Sequence, residues 1–358
     1  MSAIPSKHVA VGLTSSTSGV VSFEVPTVEP ARDEALIRVN WAALSYFDLW
    51  QGDFGLMAQY PQALGINLAG EVVKAGEDAD VQAGDSVISF GMTSQSERAL
   101  QEYALVSKYK IGKLPNNVLP QEAVSVPDNF VTAYYTLFGN LKLPVPSELP
   151  TKSSPPEART PILVWGAGGS TGQYALQVLR LAGYTNVIAI ASSHHHEYLR
   201  SLGATITLDY RAKDISEQVL KAAGGPVKYV FDTIGDEQYS LEHIAKFVAA
   251  GSQVAHLLPV RVGAPGAVQG LKHQTEVVFP DGVEIIGVRT AIYHLENEKF
   301  KEEIQPRILP GLLAAGLIKP NRIREITGET LVERVNTALG FLRKGEVSGE
   351  RLVVKVSQ

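Results

Sequence analysis

Ile162-Leu-Val-Trp-Gly-Ala-Gly-Gly-Ser-Thr-Gly-Gln-Tyr-Ala-Leu sets an apolar run directly before glycines at 166, 168, 169 and 172, and a helical pattern directly after them. Glycine permits a tight turn and lets backbone approach a bulky anion. The start of a helix adds N–H groups without intrahelical acceptors and a partial positive charge. The spacing is G-x-x-G-x-x-G over Gly166, Gly169 and Gly172 rather than G-x-G-x-x-G. A glycine turn alone also suits a simple strand-to-helix connection. The strand before it, the helix after it and a second apolar run about 20 residues on point instead to a dinucleotide site.

The end of that second run selects the cofactor. A ribose 2′-OH is usually met there by Asp or Glu, but Ile190-Ala-Ser-Ser-His-His-His carries no carboxylate. A carboxylate would repel a 2′-phosphate, whereas Ser192, Ser193 and the imidazoles of His194 and His195 can donate hydrogen bonds to it. Arg200 can add charge and Tyr210 a hydroxyl, so the expected cofactor is NADPH. The other role open to the three histidines is a solvated turn. A metal site is a poorer reading, because consecutive residues seldom converge on one ion.

These residues need a scaffold, and the chain supplies two kinds. Val9–Leu13, Val20–Val25, Glu34–Trp41, Ala69–Ala75 and Ser86–Phe90 are short β-branched runs bounded by turn residues, which predicts an antiparallel, barrel-like unit. Residues 143–161 carry six prolines and read as an exposed loop. Across 162–290, apolar strands alternate with helical segments, including Leu241–Val248, which predicts a doubly wound parallel sheet. Helices are expected at Phe130–Gly139, Glu298–Ala315 and Leu331–Lys344, with a last strand at Arg351–Val356. The 358 residues, 45% hydrophobic and 19% charged, suit a globular protein of two domains. With 32 basic against 37 acidic residues there is no basic excess for a nucleic-acid backbone. No apolar run reaches the roughly 18 residues of a spanning helix, and no secretory signal is visible, so the expected location is cytoplasmic. The absence of cysteine excludes disulfides, thiolate nucleophiles and every Cys-based metal site.

In this order of parts the sequence resembles the medium-chain dehydrogenase/reductase superfamily. Leu64-Gly-Ile-Asn-Leu-Ala-Gly-Glu-Val-Val, the Ala83-Gly-Asp-Ser-Val turn, Asp209-Tyr-Arg and Phe231-Asp-Thr-Ile-Gly carry the likeness. The resemblance implies an α/β architecture. A GroES-like β-barrel catalytic domain would span 1–126, a Rossmann-type NADP-binding domain 127–291, and a return segment, 292–358, would complete the first. Zinc-dependent members would have Cys near Leu44–Asp48 and a His-Glu pair in Leu64–Gly70. This chain has Ser45-Tyr46 and Ile66-Asn67 there, so no metal ligand is assigned, and the resemblance narrows to the zinc-free quinone oxidoreductases and enoyl reductases. Phe341-Leu-Arg-Lys-Gly-Glu-Val-Ser-Gly-Glu-Arg, the Pro-rich insertion and Gly168–Thr171 are similar to fungal enoyl reductases, some of which serve polyketide synthases. Carried over, Phe47 and Asp48 would approach the nicotinamide, and Ser170, Thr171, Gly172 and Gln173 the pyrophosphate. Ser192–His195 and Tyr210 would surround the adenosine phosphate, and Leu257, Ser348 and Gly349 would complete the groove. Thr132 would face nicotinamide and substrate. Relatives often have Asn-Pro and then Lys where this chain has Ser45-Tyr46 and Trp50, which weakens a carrier-bound substrate.

The reading that follows is an NADPH-dependent, metal-free transfer of hydride to the β-carbon of an α,β-unsaturated carbonyl. Tyr46, Thr132, Tyr135 or water could donate the proton, and the residues do not single out one. Tyr46 is equally suited to packing, Asp48 to orienting its neighbours, and Trp50 to either a substrate wall or the core. Quinone reduction, and a silent NADPH-binding or partner protein, are the alternatives. The expected partners are a small conjugated carbonyl and, by resemblance, a polyketide synthase. The chain could be a monomer or a homodimer.

Overall fold

The computed structural model describes residues 4–264 and 266–357. Residues up to Asp128 together with those from Tyr293 onward form one unit, and Asn129–Ile292 form another.

The first unit opens with β1 (Lys7–Leu13), β2 (Val21–Pro26) and β3 (Glu34–Leu44), then helix α1 (Tyr46–Phe54). After it come β4 (Gln62–Ala63), β5 (Asn67–Ala75), β6 (Ser86–Phe90), β7 (Tyr103–Ser107) and β8 (Ile111–Lys113), followed by α2 (Pro120–Ala123); α3 (Pro127–Tyr135) then carries the chain into the second unit. β1 pairs antiparallel with β2 and β4, and β3 pairs antiparallel with both β5 and β7. Alternation decides which side faces inward. In β2 every second residue is exposed, whereas β3 buries Ala35, Leu36, Ile37, Val39 and Ala42–Leu44. Two register shifts in the β3–β5 pairing bend that long strand, as β-bulges do. Helix α1 falls in a stretch without strong helical periodicity, and its start is set by Asp48, described below.

The second unit holds β9 (Ile162–Trp165), α4 (Ser170–Leu181), β10 (Val187–Ile190), α5 (His196–Leu202), β11 (Ile206–Leu208), α6 (Ile215–Ala223), β12 (Tyr229–Asp232), α7 (Glu242–Ile244) and β13 (Gln253–Leu257). A short antiparallel pair, β14 (Val260–Val262) and β15 (Gly270–Lys272), precedes β16 (Glu284–Val288). The sheet order is β11-β10-β9-β12-β13-β16, all parallel, with β16 at one edge. In order along the sheet this is 3-2-1-4-5-6, the doubly wound arrangement whose direction reverses beside its first strand. β9 and β10 are fully buried, as strands covered on both faces must be. Their side chains pack with Val219, Val230, Ile244, Phe247 and Val254 into one core.

The chain then returns to the first unit through α8 (Tyr293–Glu296), α9 (Glu298–Glu303) and α10 (Leu309–Ala314). The final elements are β17 (Arg322–Glu325), α11 (Leu331–Arg343) and β18 (Glu350–Lys355). β18 pairs with β3, so the end of the chain closes the sheet that its beginning started. The helix expected over Glu298–Ala315 is interrupted by a wide turn at Ile304–Ile308. Pro306 lies inside that turn and has no N–H to donate. The helix expected over Leu241–Val248 starts earlier, because the Asp236 carboxylate accepts from Gln238 N and Tyr239 N and opens a wide turn at Glu237–Leu241. Among the described residues, no helix is long and apolar enough to cross a membrane.

Candidate functional site

In the second unit the sheet reverses direction at β9, and the glycine turn follows that strand. Gly166 has φ +77°, and a Cβ there would stand 2.5 Å from Ile234 and 2.6 Å from the Thr233 hydroxyl. Thr233 Oγ1 donates to the carbonyls of Trp165 and Gly166 at 2.9 and 3.0 Å, binding the end of β12 to the end of β9. At Gly172 a Cβ would stand 2.6 Å from Ala167 Cα and 2.7 Å from the Gly166 carbonyl, so the first turn of α4 lies directly on the glycine turn. Gly169 caps α4 without a side chain, so no side-chain oxygen occupies the N–H groups of Ser170, Thr171 and Gly172. An anion fits such a helix start. Gln173 braces the turn, its amide donating to the Gly168 carbonyl at 2.8 Å. Thr171 Oγ1 donates to Asn129 Oδ1 at 2.8 Å, and Thr132 Oγ1 lies 2.9 Å from Thr290 Oγ1. Tyr135 is buried, and Leu257 ends β13.

The turn after β10 lies against this cradle, since a Cβ on Gly168 would come within 2.9 Å of the His195 ring. The rings of His194 and His195 sit 3.9 Å apart. Ser192 Oγ lies 3.5 Å from the hydroxyl of Tyr210, which is exposed. Arg200 is turned to Thr207, donating at 2.6 Å. The structure adds what the Ile190–His196 segment lacks. Asp209, at the end of β11, accepts from Ser193 N at 3.0 Å. Arg211 grips both oxygens of that carboxylate at 2.9 and 2.7 Å and holds its pKa well below the usual range. The Arg211 guanidinium also lies 5.6 Å over the Tyr210 ring. The sequence analysis names Asp209-Tyr-Arg only as part of the family likeness and does not bring Asp209 and Arg211 to this turn, because a pair from the next strand has no spacing signature within the turn itself.

The Asp-x-x-Gly segment after β12 has its own logic. Asp232 is fully buried and accepts from Ile234 N, Gly235 N and Ser240 Oγ at 2.9, 3.2 and 2.6 Å, shaping the turn that faces Gly166. Burial pushes its pKa from 3.8 up to about 6 against these donors. Folding therefore favours the protonated form. The contribution from Asp232 is full below about pH 4 and is lost as pH rises through 6. Relative to a non-titrating Asp232→Asn variant, the wild-type protein is expected to lose about 2 kcal/mol of stability between pH 4 and 7. Urea denaturation of both proteins across that range checks this.

In the first unit, Tyr46, Phe47, Asp48 and Trp50 all lie on α1. Asp48 Oδ2 accepts from Ser45 N at 2.8 Å and from Ser45 Oγ at 3.0 Å, closing the helix start. Its Oδ1 accepts from Gly65 N at 2.7 Å. The segments Leu44–Asp48 and Leu64–Gly70 are thus joined through one carboxylate, and burial raises its pKa. Asn67 Oδ1 accepts from Asp128 N at 2.9 Å, and Asp128 Oδ2 pairs with Arg351 at 2.8 Å. The oxygens here are committed to N–H donors and a guanidinium. Among the described residues, no three His, Asp or Glu side chains converge as metal ligands would. The rings of Tyr46 and Trp50 lie 5.7 Å apart and are half-buried. Ser348 and Gly349 lie directly before β18.

A family model for the alcohol dehydrogenase GroES-like domain matches residues 31–131, and one for zinc-binding dehydrogenases matches residues 170–257. The chain belongs to the medium-chain dehydrogenase/reductase superfamily. Members of this superfamily are nicotinamide-dependent oxidoreductases. A zinc-type alcohol dehydrogenase-like protein of Schizosaccharomyces pombe is 27% identical over 94% of this chain and 96% of its own length. The enoyl reductase component of lovastatin nonaketide synthase from Aspergillus terreus is 27% identical over 91% of this chain and 90% of its own. The quinone oxidoreductase structure from Pseudomonas syringae covers 97% of this chain and 99% of its own, with a TM-score of 0.74 at 19% identity, a likeness of fold.

Proposed function

We propose that this superfamily member is an NADPH-dependent, metal-free reductase that delivers hydride to the β-carbon of an α,β-unsaturated carbonyl. The observation that carries the reading is the state of the would-be ligand segments. Asp48, Asn67 and Asp128 spend their oxygens on Ser45, Gly65, Asp128 N and Arg351, which leaves no donor set for a Lewis acid. NADPH is supported by the hydroxyls of Ser192 and Tyr210 and by Arg211, which neutralises the Asp209 carboxylate that the structure brings to this turn, beside a glycine cradle that a Cβ would fill. Bound there, the cofactor supplies the hydride. A C–H bond forms at the β-carbon as the C=C electron pair moves toward the carbonyl oxygen, and a proton added at the α-carbon completes the reduction. Tyr46, Thr132 and Tyr135 are the proposed sources of that proton or of the hydrogen bonds that route it. The curated relative named for a polyketide synthase component supports an enoyl substrate. Trp50, in place of a lysine, favours a free molecule over a carrier-bound one.

The test is cofactor consumption against enones, enoyl thioesters and quinones, run with NADPH and NADH in parallel. Turnover of conjugated carbonyls with NADPH preferred is expected. Arg211→Ala should reduce that preference at least about tenfold, the worth of one charge-assisted contact. Turnover of quinones alone, or NADPH binding without any turnover, would remove the reading.

A further inference from the structure

Arg98, beside helix α1, is a charged side chain whose burial the fold does not explain. It is 5% exposed, and its Nε and Nη1 are buried without any hydrogen-bond acceptor. A guanidinium taken out of water and left unpaired costs several kcal/mol, so a buried one asks for an explanation. Its nearest carboxylates do not provide one. Asp48 and Glu97 both act on it electrostatically, yet neither pairs with it. The Asp48 oxygens are committed to Ser45 and Gly65, as described. Glu97 is committed to Lys110 at 2.7 Å, to Thr93 and to Ser94. Arg98 is thus a buried cation whose neighbouring carboxylates are already taken.

Its position is equally specific. The guanidinium lies 5.8 Å over the ring of Phe47, next to Asp48, on the helix that carries Tyr46 and Trp50. One helical turn beyond Phe47, Gln51 is fully buried with neither amide atom hydrogen-bonded. A planar fork of donors, with an aromatic ring against one face, is the arrangement that recognises oxyanions.

We propose that Arg98 binds an anionic oxygen of the substrate, with the Gln51 amide as a neighbouring polar contact. The inference rests on the proposed reductase reading for the identity of the substrate, but not for the presence of the anion site. That oxygen could belong to a carboxylate carried by the substrate, or be the carbonyl oxygen that gains charge as hydride arrives.

Kinetics of Arg98→Met and Arg98→Lys on an unsaturated keto acid and its methyl ester separate the two sources. A substrate carboxylate predicts a KM for the acid raised about tenfold or more in Arg98→Met, with kcat and the ester little changed. A developing oxyanion predicts a kcat lowered by a similar factor for both substrates, with KM held. In either case Arg98→Lys recovers part of the loss. Thermal melting with millimolar benzoate supplies a readout independent of turnover. Wild-type protein should be stabilised and Arg98→Met should not, while the variant without benzoate melts no lower than wild type, because an unpaired buried charge has gone. A structural role would instead lower its melting temperature. If no conjugated carbonyl is turned over, the benzoate comparison alone decides the anion site. Benzoate without effect on wild type, together with kinetics unmoved in Arg98→Met, overturns the proposal, as does an Arg98→Met protein that melts lower and loses nothing specific to anions.

Discussion

A Gly172→Val variant is expected to lose NADPH affinity by about a hundredfold or more while the first unit stays folded. The reason is a backbone approach that no side chain can share. A Cβ at residue 172 would sit 2.6 Å from Ala167 Cα and 2.7 Å from the Gly166 carbonyl, and both are backbone atoms that cannot rotate away. The valine can be accommodated only by lifting the first turn of α4 off the glycine turn. That moves the N–H groups of Ser170, Thr171 and Gly172, which the anion needs in register. Overpacking of this kind costs about 1–3 kcal/mol by itself, and displaced donors add to the loss in binding. Gly340, in α11, has open space where a Cβ would be and serves as the control. Gly340→Ala should leave affinity unchanged and melting equal or higher. Fluorescence titration with NADPH, with melting followed in parallel, measures both.

Arg351→Met is expected to destabilise the protein by about 3–5 kcal/mol, the cost of stranding one partner of a buried ion pair. Its side chain and that of Asp128 are 8% and 11% exposed and meet at 2.8 Å. Removing the guanidinium leaves the Asp128 carboxylate charged in a place from which water is excluded. It also removes one of the influences that offset the upward shift of Asp48. The consequence reaches across the sequence, because Asp128 N bonds to Asn67 in β5 while Arg351 belongs to β18. The double variant Arg351→Met/Asp128→Asn should recover a substantial part of the loss, since neither partner is then charged. Urea denaturation of the single and double variants gives the difference, and full additivity of two large losses would contradict a specific pairing.

The parts of this molecule that the sequence reveals are those written as local pattern. Alternation in β2 and the uninterrupted apolar runs of β9 and β10 announce an antiparallel barrel-like sheet and a parallel one. The glycines at 166, 169 and 172 announce the cradle because their spacing between a strand and a helix is local, although the side chains that crowd Gly166, Thr233 and Ile234, come from the turn after β12, far along the chain. Longer-range features stay hidden. Asp209 and Arg211 come to the Ser192–His195 turn from the neighbouring strand, and Arg351 reaches Asp128 across more than 200 positions. Asp48 orients its neighbours as the sequence suggests, and the structure adds how: the same carboxylate caps α1 and ties it to Gly65. Trp50 shows an ambiguity that packing leaves in place. It is half-buried, packed against the core and beside Tyr46, with its indole N–H buried and unpaired.

The central claim is conjugate reduction, and the fate of one hydrogen tests it most directly. An enone is incubated with the protein and NADPH deuterated at nicotinamide C4 on the transferring face, and the product is read by NMR. Deuterium at the β-carbon, with a solvent proton at the α-carbon and the carbonyl intact, is the predicted result. Deuterium at the carbonyl carbon, giving an allylic alcohol, would contradict the account.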